Sequence, residues 1–593
     1  MPSKIRDIAE ILGVTETSNA SNAVLITAAD VSGSGLTTYS TLDSLPTSSL
    51  TAGDQAYVTS TNRLYVSNST GWYNVALFNA TPTLSISPSG AVTLAVDGST
   101  PTVITLTGTD SDNADANLVY SVESDGSFAN IATLSQDSSV FTITPLAEGV
   151  ATPGSSTLTF KVSDGINFGS GTTVFSLTFG PDWSATPTES ILRASDGQAN
   201  DNLGYADAPV TSISGDGNYV VVGAPNHDNN GAFYVFAKSG STWSEQAKIA
   251  GSANAEFMGS SASINYDGTY IIVGARGFAT NTGAAYVFTR SGSTWSQQQR
   301  IQASDAQLTD YFGWAVSINS DATYAIVGAP YEDTNGSNAG SAYIFSRSGS
   351  TWTQRAKIQS SDIQAGDLFG QKLSMSGDGT YVVISAHLED GGGGDPSSNA
   401  GAAYIFTGSG ATWSQQAKLV SNDIQVNDRF SGLSVSINND GTYAIVGAYQ
   451  EDGGVGDPLS NAGAAYIFTR SGSTWTQQAK LVASDAQASD FLGWSVAVNS
   501  DGTFVIIGSW GEDGGAGDPA SGAGAAYIFS RSESTWTEIK KLTASDAQAG
   551  DAYGGNVSIS GDGTAAVVSA SGEDGGAGDP TSGAGALYIY ETG

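Results

Sequence analysis

From about residue 210 onward, apolar and polar positions alternate in short runs separated by Gly, Ser, Asn and Asp, and the pattern recurs seven times. One phrase marks each copy: Ile213 to Tyr219, Ile264 to Tyr270, Ile318 to Tyr324, Met375 to Tyr381, Ile437 to Tyr443, Val498 to Phe504 and Ile559 to Ala565. In the fifth copy Leu433–Ile437 alternates, turns at Asn439-Asp440-Gly441 and returns as Tyr443–Ala448. A Gly-rich loop then leads to Ala464–Phe468, and Ser471-Gly472-Ser473 turns into Trp475–Leu481. Period-two patterning bounded by turn residues predicts strands, and no helical period follows residue 180. Self-similarity at roughly 50–60 residues, with four strands per copy, predicts propeller blades.

How the array ends bears on closure. The chain stops at Leu587-Tyr588-Ile589-Tyr590, a third strand with no fourth after it, whereas Trp183 to Leu192 stands ahead of the first copy as a strand without a unit. Pairing the two closes a ring and removes the open edges of an unclosed array. The expected fold is therefore all-β: a closed seven-bladed β-propeller over 181–593, sealed by a strand at 183–193 with Trp183 beside Tyr588. The outermost strands carry Lys248, Arg300, Lys357, Lys418, Lys480 and Lys540, charges expected to oppose edge-to-edge pairing.

Three smaller pieces are expected ahead of it. In residues 1–29 a helix over 3–12, capped by Ser3 and stopped at Gly13, lines up Ile5, Ile8, Ile11 and Leu12 as an anchor. So short a helix is marginal unless it docks. Residues 30–80 read as a small β module, with strands at Gln55–Val58, Arg63–Val66 and Gly71–Val75. Residues 81–180 read as a β-sandwich whose strands resemble those of Ig and cadherin-like domains. Asp110, Asp112, Asp115 and Asp164 are candidate calcium ligands there, or solvated turns.

Acids outnumber bases by 57 to 21, a net charge of −36, which repels nucleic acid and anionic membranes. The chain has no Cys and only two His, so Ser/His/Asp and Cys/His catalysis find little to work with. A carboxylate pair acting on glycosides needs only two acids, so a glycan-degrading propeller stays the weakest alternative. No apolar stretch reaches the length of a membrane span, and the N-terminus lacks a signal-peptide core, so membrane insertion and ordinary secretion are not expected.

The turn after strand two and the link after strand four open on one face. That face gathers Glu389, Asp390 and Asp395; Glu451, Asp452 and Asp457; Glu512, Asp513 and Asp518; and Glu573, Asp574 and Asp579. Oxygen-rich loops suit calcium, and Gly, Asp and Pro equally suit turn chemistry. Arg290, Arg347, Arg470 and Arg531 fall on the opposite face, and Tyr331, His387, Tyr449 and Trp510 are candidate recognition residues on the loop face.

The repeats resemble FG-GAP repeats, the blades of integrin α-chains and of many bacterial surface proteins. Phe312-Gly313, Phe369-Gly370, Gly223-Ala224-Pro225 and Gly328-Ala329-Pro330 carry the likeness. It implies a propeller, and calcium between the first two strands, where this chain has a single Asp. Residues 2–13, Leu50–Val58 and Gly71-Trp72-Tyr73 resemble marine bacteriophage virion appendage proteins: tail fibres, collar fibres or head decorations. That likeness implies a non-enzymatic virion protein, present in multiple copies or as a homo-oligomer. Its N-terminus would hold other virion proteins, and its propeller would face a host-surface glycan or protein. The alternative is a secreted or cell-surface calcium-dependent bacterial adhesin.

Overall fold

The computed structural model describes residues 37–593, apart from 61–62, 69, 76–80, 95–99, 111–117, 125, 147–153, 165–166, 178–180, 206–209, 253–255, 391–398, 424, 453–458, 514–520, 575–581 and 593. The expected helix with Ile5, Ile8, Ile11 and Leu12 lies outside the described residues. The chain divides into two compact units, 1–180 and 181–593.

Within the first unit, four strands form a sheet in the order Thr37–Tyr39, Ala52–Val58, Arg63–Asn68 and Trp72–Val75. The first of these pairs parallel to the second, a strand that the sequence pattern does not announce. Two further four-stranded sheets follow. One runs Thr83–Ser87, Thr102–Thr109, Val140–Pro145, Ala132–Asp137; the other runs Val92–Thr93, Phe168–Leu177, Gly154–Ser163, Val119–Ser124. They bury one shared core in which Ile104, Phe141 and Ile143 of the first sheet meet Leu158, Phe160 and Phe175 of the second.

The second unit consists of seven four-stranded antiparallel sheets. In the fifth, Val435–Ile437, Tyr443–Ala448, Ala464–Ser471 and Thr474–Leu481 pair in sequence order. Its third strand buries Ala464 to Phe468 without alternation, because both faces are covered by neighbouring sheets. The apolar clusters lie between sheets: Val383, Ile405 and Leu419 of the fourth meet Val435, Val446 and Tyr466 of the fifth. Leu587 and Ile589 of the seventh meet Val220, Tyr234 and Phe236 of the first in the same way.

The seventh sheet draws a strand from the start of the unit. Thr188–Leu192 pairs antiparallel with Ala586–Glu591, Ile191 opposite Tyr588. The strand is shorter than the expected 183–193, and Trp183 precedes it. Three extra residues separate Trp183 from the position that Trp536 holds relative to Leu542. Trp183 nonetheless turns into the core beside Tyr588, fully buried, and donates Nε1 to the Gly563 carbonyl at 2.9 Å.

Three sets of contacts recur between neighbouring sheets. Glycine meets glycine: a Cβ added to Gly447 would lie 2.0 Å from the carbonyl oxygen of Gly493 in the following sheet. The same approach recurs at Gly223 on Gly259, Gly274 on Gly313, Gly328 on Gly370 and Gly508 on Gly554, at 1.9–2.1 Å. The second glycine of each pair has φ of 84–93°, which only glycine adopts readily. Serine hydroxyls link the first strands: Ser212, Ser263, Ser317, Ser374 and Ser436 accept the backbone N–H of Ile264, Ile318, Met375, Ile437 and Val498, and Ser558 accepts that of Ile213.

The turns after the first strands join through a series of backbone hydrogen bonds. Asp216 N–H donates to Tyr266, Tyr266 to Ser320, Ser320 to Gly377, Asp378 to Asn439, Asn439 to Ser500, Ser500 to Gly561, and Gly561 back to Gly215, at 2.9–3.3 Å. These turns line one recess that draws on all seven sheets, from Ile213 to Gly561.

Glycine substitutions separate close packing from turn freedom. Gly447→Ala drives a methyl into the Gly493 carbonyl and is expected to lower Tm by several degrees or abolish soluble folding. Gly472→Asn, at a hairpin with nothing within 4 Å, should stay within about 1 kcal/mol of the parent. Thermal melts of the two variants check this.

Candidate functional site

At the end of each sheet where the second-to-third turn and the inter-sheet link emerge, one charged cluster recurs. In the fifth sheet, Lys480 Nζ lies 2.7 Å from Asp423 of the link and 2.6 Å from Glu451 of the turn. Lys357 holds Asp305 and Glu332, Lys418 holds Asp362 and Glu389, and Lys541 holds Asp485 and Glu512, all at 2.5–3.0 Å. Arg193, from the strand that completes the seventh sheet, takes Asp546 and Glu573 at 3.0 and 2.9 Å. Each ammonium also sits about 5.5 Å over a third-strand tyrosine, and the Tyr404 and Tyr527 hydroxyls donate to the same link aspartates, Asp362 and Asp485.

Two repeats vary the cluster. In the first, His227 replaces the glutamate: its Nδ1 meets Asp201 at 2.7 Å and its Nε2 meets Lys248, which also pairs with Asp196. In the second, Phe278 takes the glutamate's place and Arg300 stacks on it at 4.4 Å. The expected edge lysines are thus held in ion pairs, and Lys541, not Lys540, fills the sixth position; Lys540 reaches the Ala185 carbonyl instead.

Burial would raise the link aspartates, but hydrogen bonds from lysine and tyrosine hold Asp305, Asp362, Asp423 and Asp485 below the usual carboxylate range. Glu332 is likewise held low, against burial, by Thr334, Ser341 and Lys357. A second aspartate in each link goes the other way. Burial, together with the neighbouring glutamate and aspartates, pushes Asp310, Asp367, Asp428, Asp490 and Asp551 up to about 6. Each keeps one backbone N–H bond, at 2.6–2.7 Å, from the Gln three residues earlier.

The carboxylates nominated for calcium serve this architecture. Glu389, Glu451, Glu512 and Glu573 are nearly buried and face Lys418, Lys480, Lys541 and Arg193. Asp390, Asp452, Asp513 and Asp574 each accept the backbone N–H nine residues on, closing the loop at 2.6–2.9 Å. Asp395, Asp457, Asp518 and Asp579 lie outside the described residues, as do Asp112 and Asp115. Asp164 accepts the Asn167 N–H at 2.8 Å, and Asp110 is half-buried at a strand end. In the turn after the first strand, the lone aspartate, such as Asp440, accepts Thr442 N–H and Oγ1–H. Among the described residues no group of three His, Cys, Asp or Glu is placed to hold a metal ion. At the four rim glutamates, cationic side chains already occupy the charge that an ion would supply.

On the opposite ends, Arg290, Arg347, Arg470 and Arg531 clip neighbouring sheets together. Each guanidinium stacks 4.2–4.5 Å over a tyrosine of the preceding sheet (Tyr219, Tyr270, Tyr381, Tyr443) and donates Nε to a turn carbonyl.

The nominated recognition residues fall into two aromatic groups. Tyr331 packs with Tyr311 and Trp314, and Arg276 lies 4.4 Å over Trp314. Tyr449 meets Trp494 at 4.9 Å; Trp510 meets Trp494 at 5.0 Å and stacks on Phe491 at 5.5 Å and 10°. Arg429 lies beside Tyr449, and burial, then the charges of Arg429 and Lys372, pull the His387 imidazole down to about 3. The sequence reading missed Arg429, Phe491 and Trp494. Their signal was available: they flank the Phe-Gly-type pairs, at positions that differ between repeats. The position after the second strand varies too, reading Pro225, Arg276, Pro330, His387, Tyr449, Trp510 and Ser571.

Seven four-stranded antiparallel sheets with recurrent Gly-on-Gly contacts define a propeller-like, all-β repeat protein. The FG-GAP repeat model matches residues 187–236, 295–345, 352–406, 413–468, 475–529 and 536–590, more than half of the sequence, and the chain belongs to that family. The unmatched copy is the second, where Phe278 and Arg300 replace the charged cluster. FG-GAP membership is consistent with calcium involvement. No curated protein matches the sequence. Among solved structures the chain is similar to a hydrazine synthase from Kuenenia stuttgartiensis (12% identity, TM-score 0.40, 64% of this chain and 96% of that one). It is also similar to U3-55K (9%, 0.42, 70% and 100%) and to a putative 6-phosphogluconolactonase from Bacteroides fragilis (11%, 0.40, 61% and 97%). Likenesses this loose carry no functional argument.

Two outcomes follow. Lys480→Met strands Glu451 and Asp423 and should cost about 3 kcal/mol, with part recovered by adding Glu451→Gln; denaturant melts of the single and double variants read this. Raised aspartates mean that folding takes up protons, so their penalty above about pH 6 fades as pH falls toward 4, while the lowered carboxylates lose their contribution below about pH 4. Tm should rise from about pH 7.5 to 5.5 and fall below about pH 4; a steady decline from 7.5 to 5.5 would contradict the cluster reading.

Proposed function

We propose that the second unit is a closed seven-bladed propeller and that the chain is a non-catalytic adhesive protein, with recognition on the face bearing the link and the second-to-third turns. The observation that carries closure is the circuit of backbone hydrogen bonds, in which Gly561 donates to Gly215 as each earlier turn does to its successor. The first unit's two sheets with a shared core support an Ig- or cadherin-like spacer. A rigid ring presenting variable loops suits binding.

A catalytic reading has less to stand on. His227 is fixed between Asp201 and Lys248, His387 is buried, and the rim glutamates are neutralised in place. Between the two non-enzymatic settings, the secreted or cell-surface adhesin is the better supported, because it rests on FG-GAP membership. The virion appendage rests on residues 2–13, outside the described residues, and on the likeness at Leu50–Val58 and Gly71-Trp72-Tyr73. Among the described residues no helix is long and apolar enough to cross a membrane.

The test is adhesion of the purified chain to intact bacterial cells, alongside sugar release from the same surfaces. Saturable binding without sugar release is expected, and release of reducing sugar would overturn the non-catalytic reading. Millimolar calcium followed by EDTA should move Tm by less than about 1 °C, since cationic side chains already hold the rim glutamates. A reversible rise of several degrees would assign the ion to other oxygens of these loops.

A further inference from the structure

We propose that the patch formed by His387, Arg429, Tyr449, Phe491, Trp494 and Trp510 is a binding site for an acidic saccharide. This deepens the adhesive reading and rests on it. Three observations converge. First, the rings form a continuous wall across the fifth and sixth repeats, with Phe491, Trp494 and Trp510 only half-buried, so flat aromatic faces are left for the C–H faces of a pyranose.

Second, unmet hydrogen-bonding capacity gathers here. Trp494 Nε1, Trp510 Nε1, Arg429 Nε and His387 Nδ1 are buried polar atoms without a hydrogen-bond partner among the described residues. His387 is 5% exposed, so its ring nitrogen is a built-in polar group, not a solvated one. Buried groups of this kind cost stability unless something completes them, and their concentration in one place marks a site that lacks a partner among the described residues.

Third, the charge is inverted. In a chain of net charge −36, Arg429 forms no ion pair among the described residues, while the glutamates of the same repeats, Glu389, Glu451 and Glu512, are each held by a lysine. An incoming cation would meet Arg429; a carboxylate or sulfate would find a planar, unneutralised guanidinium suited to bidentate contact. The patch also occupies the positions that vary between repeats, whereas the strands behind it recur almost unchanged.

The full chain is titrated with alginate oligosaccharides (a uronate) and carrageenan oligosaccharides (a sulfated galactan), with laminarin oligosaccharides as the neutral comparison, read by tryptophan emission and calorimetry. Saturable, salt-sensitive binding of at least one acidic saccharide is expected, with laminarin at least tenfold weaker. Trp510→Ala and Arg429→Gln should each weaken it tenfold or more, Arg429→Gln also flattening the salt dependence, while Arg355→Gln changes nothing. Should Trp510→Ala fail to fold, Trp510→Phe and Arg429→Gln decide, with Tm as the check on integrity. Binding unaffected by these variants, or equal affinity for laminarin, overturns the site. Adhesion to cells without binding of either acidic saccharide overturns it and leaves the adhesive reading standing; loss of both removes the two together.

Discussion

The second unit depends on how closely two backbones can approach. Where one sheet meets the next, the α-carbon of a second-strand glycine lies against the carbonyl of a glycine in the following sheet, leaving no room for even a methyl group. Packed sheets ordinarily stand about 10 Å apart. Here that separation narrows to main-chain contact at one point. The rest follows from it: both faces of the inner strands are covered, apolar runs replace alternation, and the first-strand turns come near enough to hydrogen-bond in series.

The exceptions support this account. The fourth sheet has Ser385 at the glycine position and the fifth has Ser431 where its partner glycine would be, so both members of one pair change together. Ser431 keeps a positive φ of 66° and still donates its N–H to the Gly447 carbonyl. Between the last sheet and the first, Ser569 stands against Gly204 and its hydroxyl donates to the Gly204 carbonyl at 2.9 Å. The junction that unites the ends of the unit therefore uses the same position as the junctions within it.

Much of this was legible in the sequence because it recurs. Seven copies of one turn phrase, with a stray strand at the front, announced the sheets and the pairing of residues near 190 with the C-terminal strand. The strand began later than expected because Trp183 left the ladder to fill the core. The acidic loops were harder to read. Glu451 and Lys480 lie 29 residues apart, and only the fold shows that the lysine meets both the glutamate and Asp423. Composition displayed a surplus of acids without revealing that their partners sat on the outer strand. The aromatic patch was half-visible: Tyr449 and Trp510 stood out, whereas Arg429 and Trp494 acquire meaning only when they become neighbours of Tyr449, 20 and 45 positions away.

The account turns on the first and last strands being one sheet. Thr188 and Glu591 face each other in that ladder, at a Cα separation of about 4.5–5.5 Å, within reach of a disulfide. The chain contains no cysteine, so Thr188→Cys with Glu591→Cys gives a single thiol pair. Mild oxidation should close it within one chain, giving a species that runs faster on a non-reducing gel and melts higher than its reduced form. Thiols that stay free, or that cross-link only between chains, would contradict the joined strand and the ring built on it.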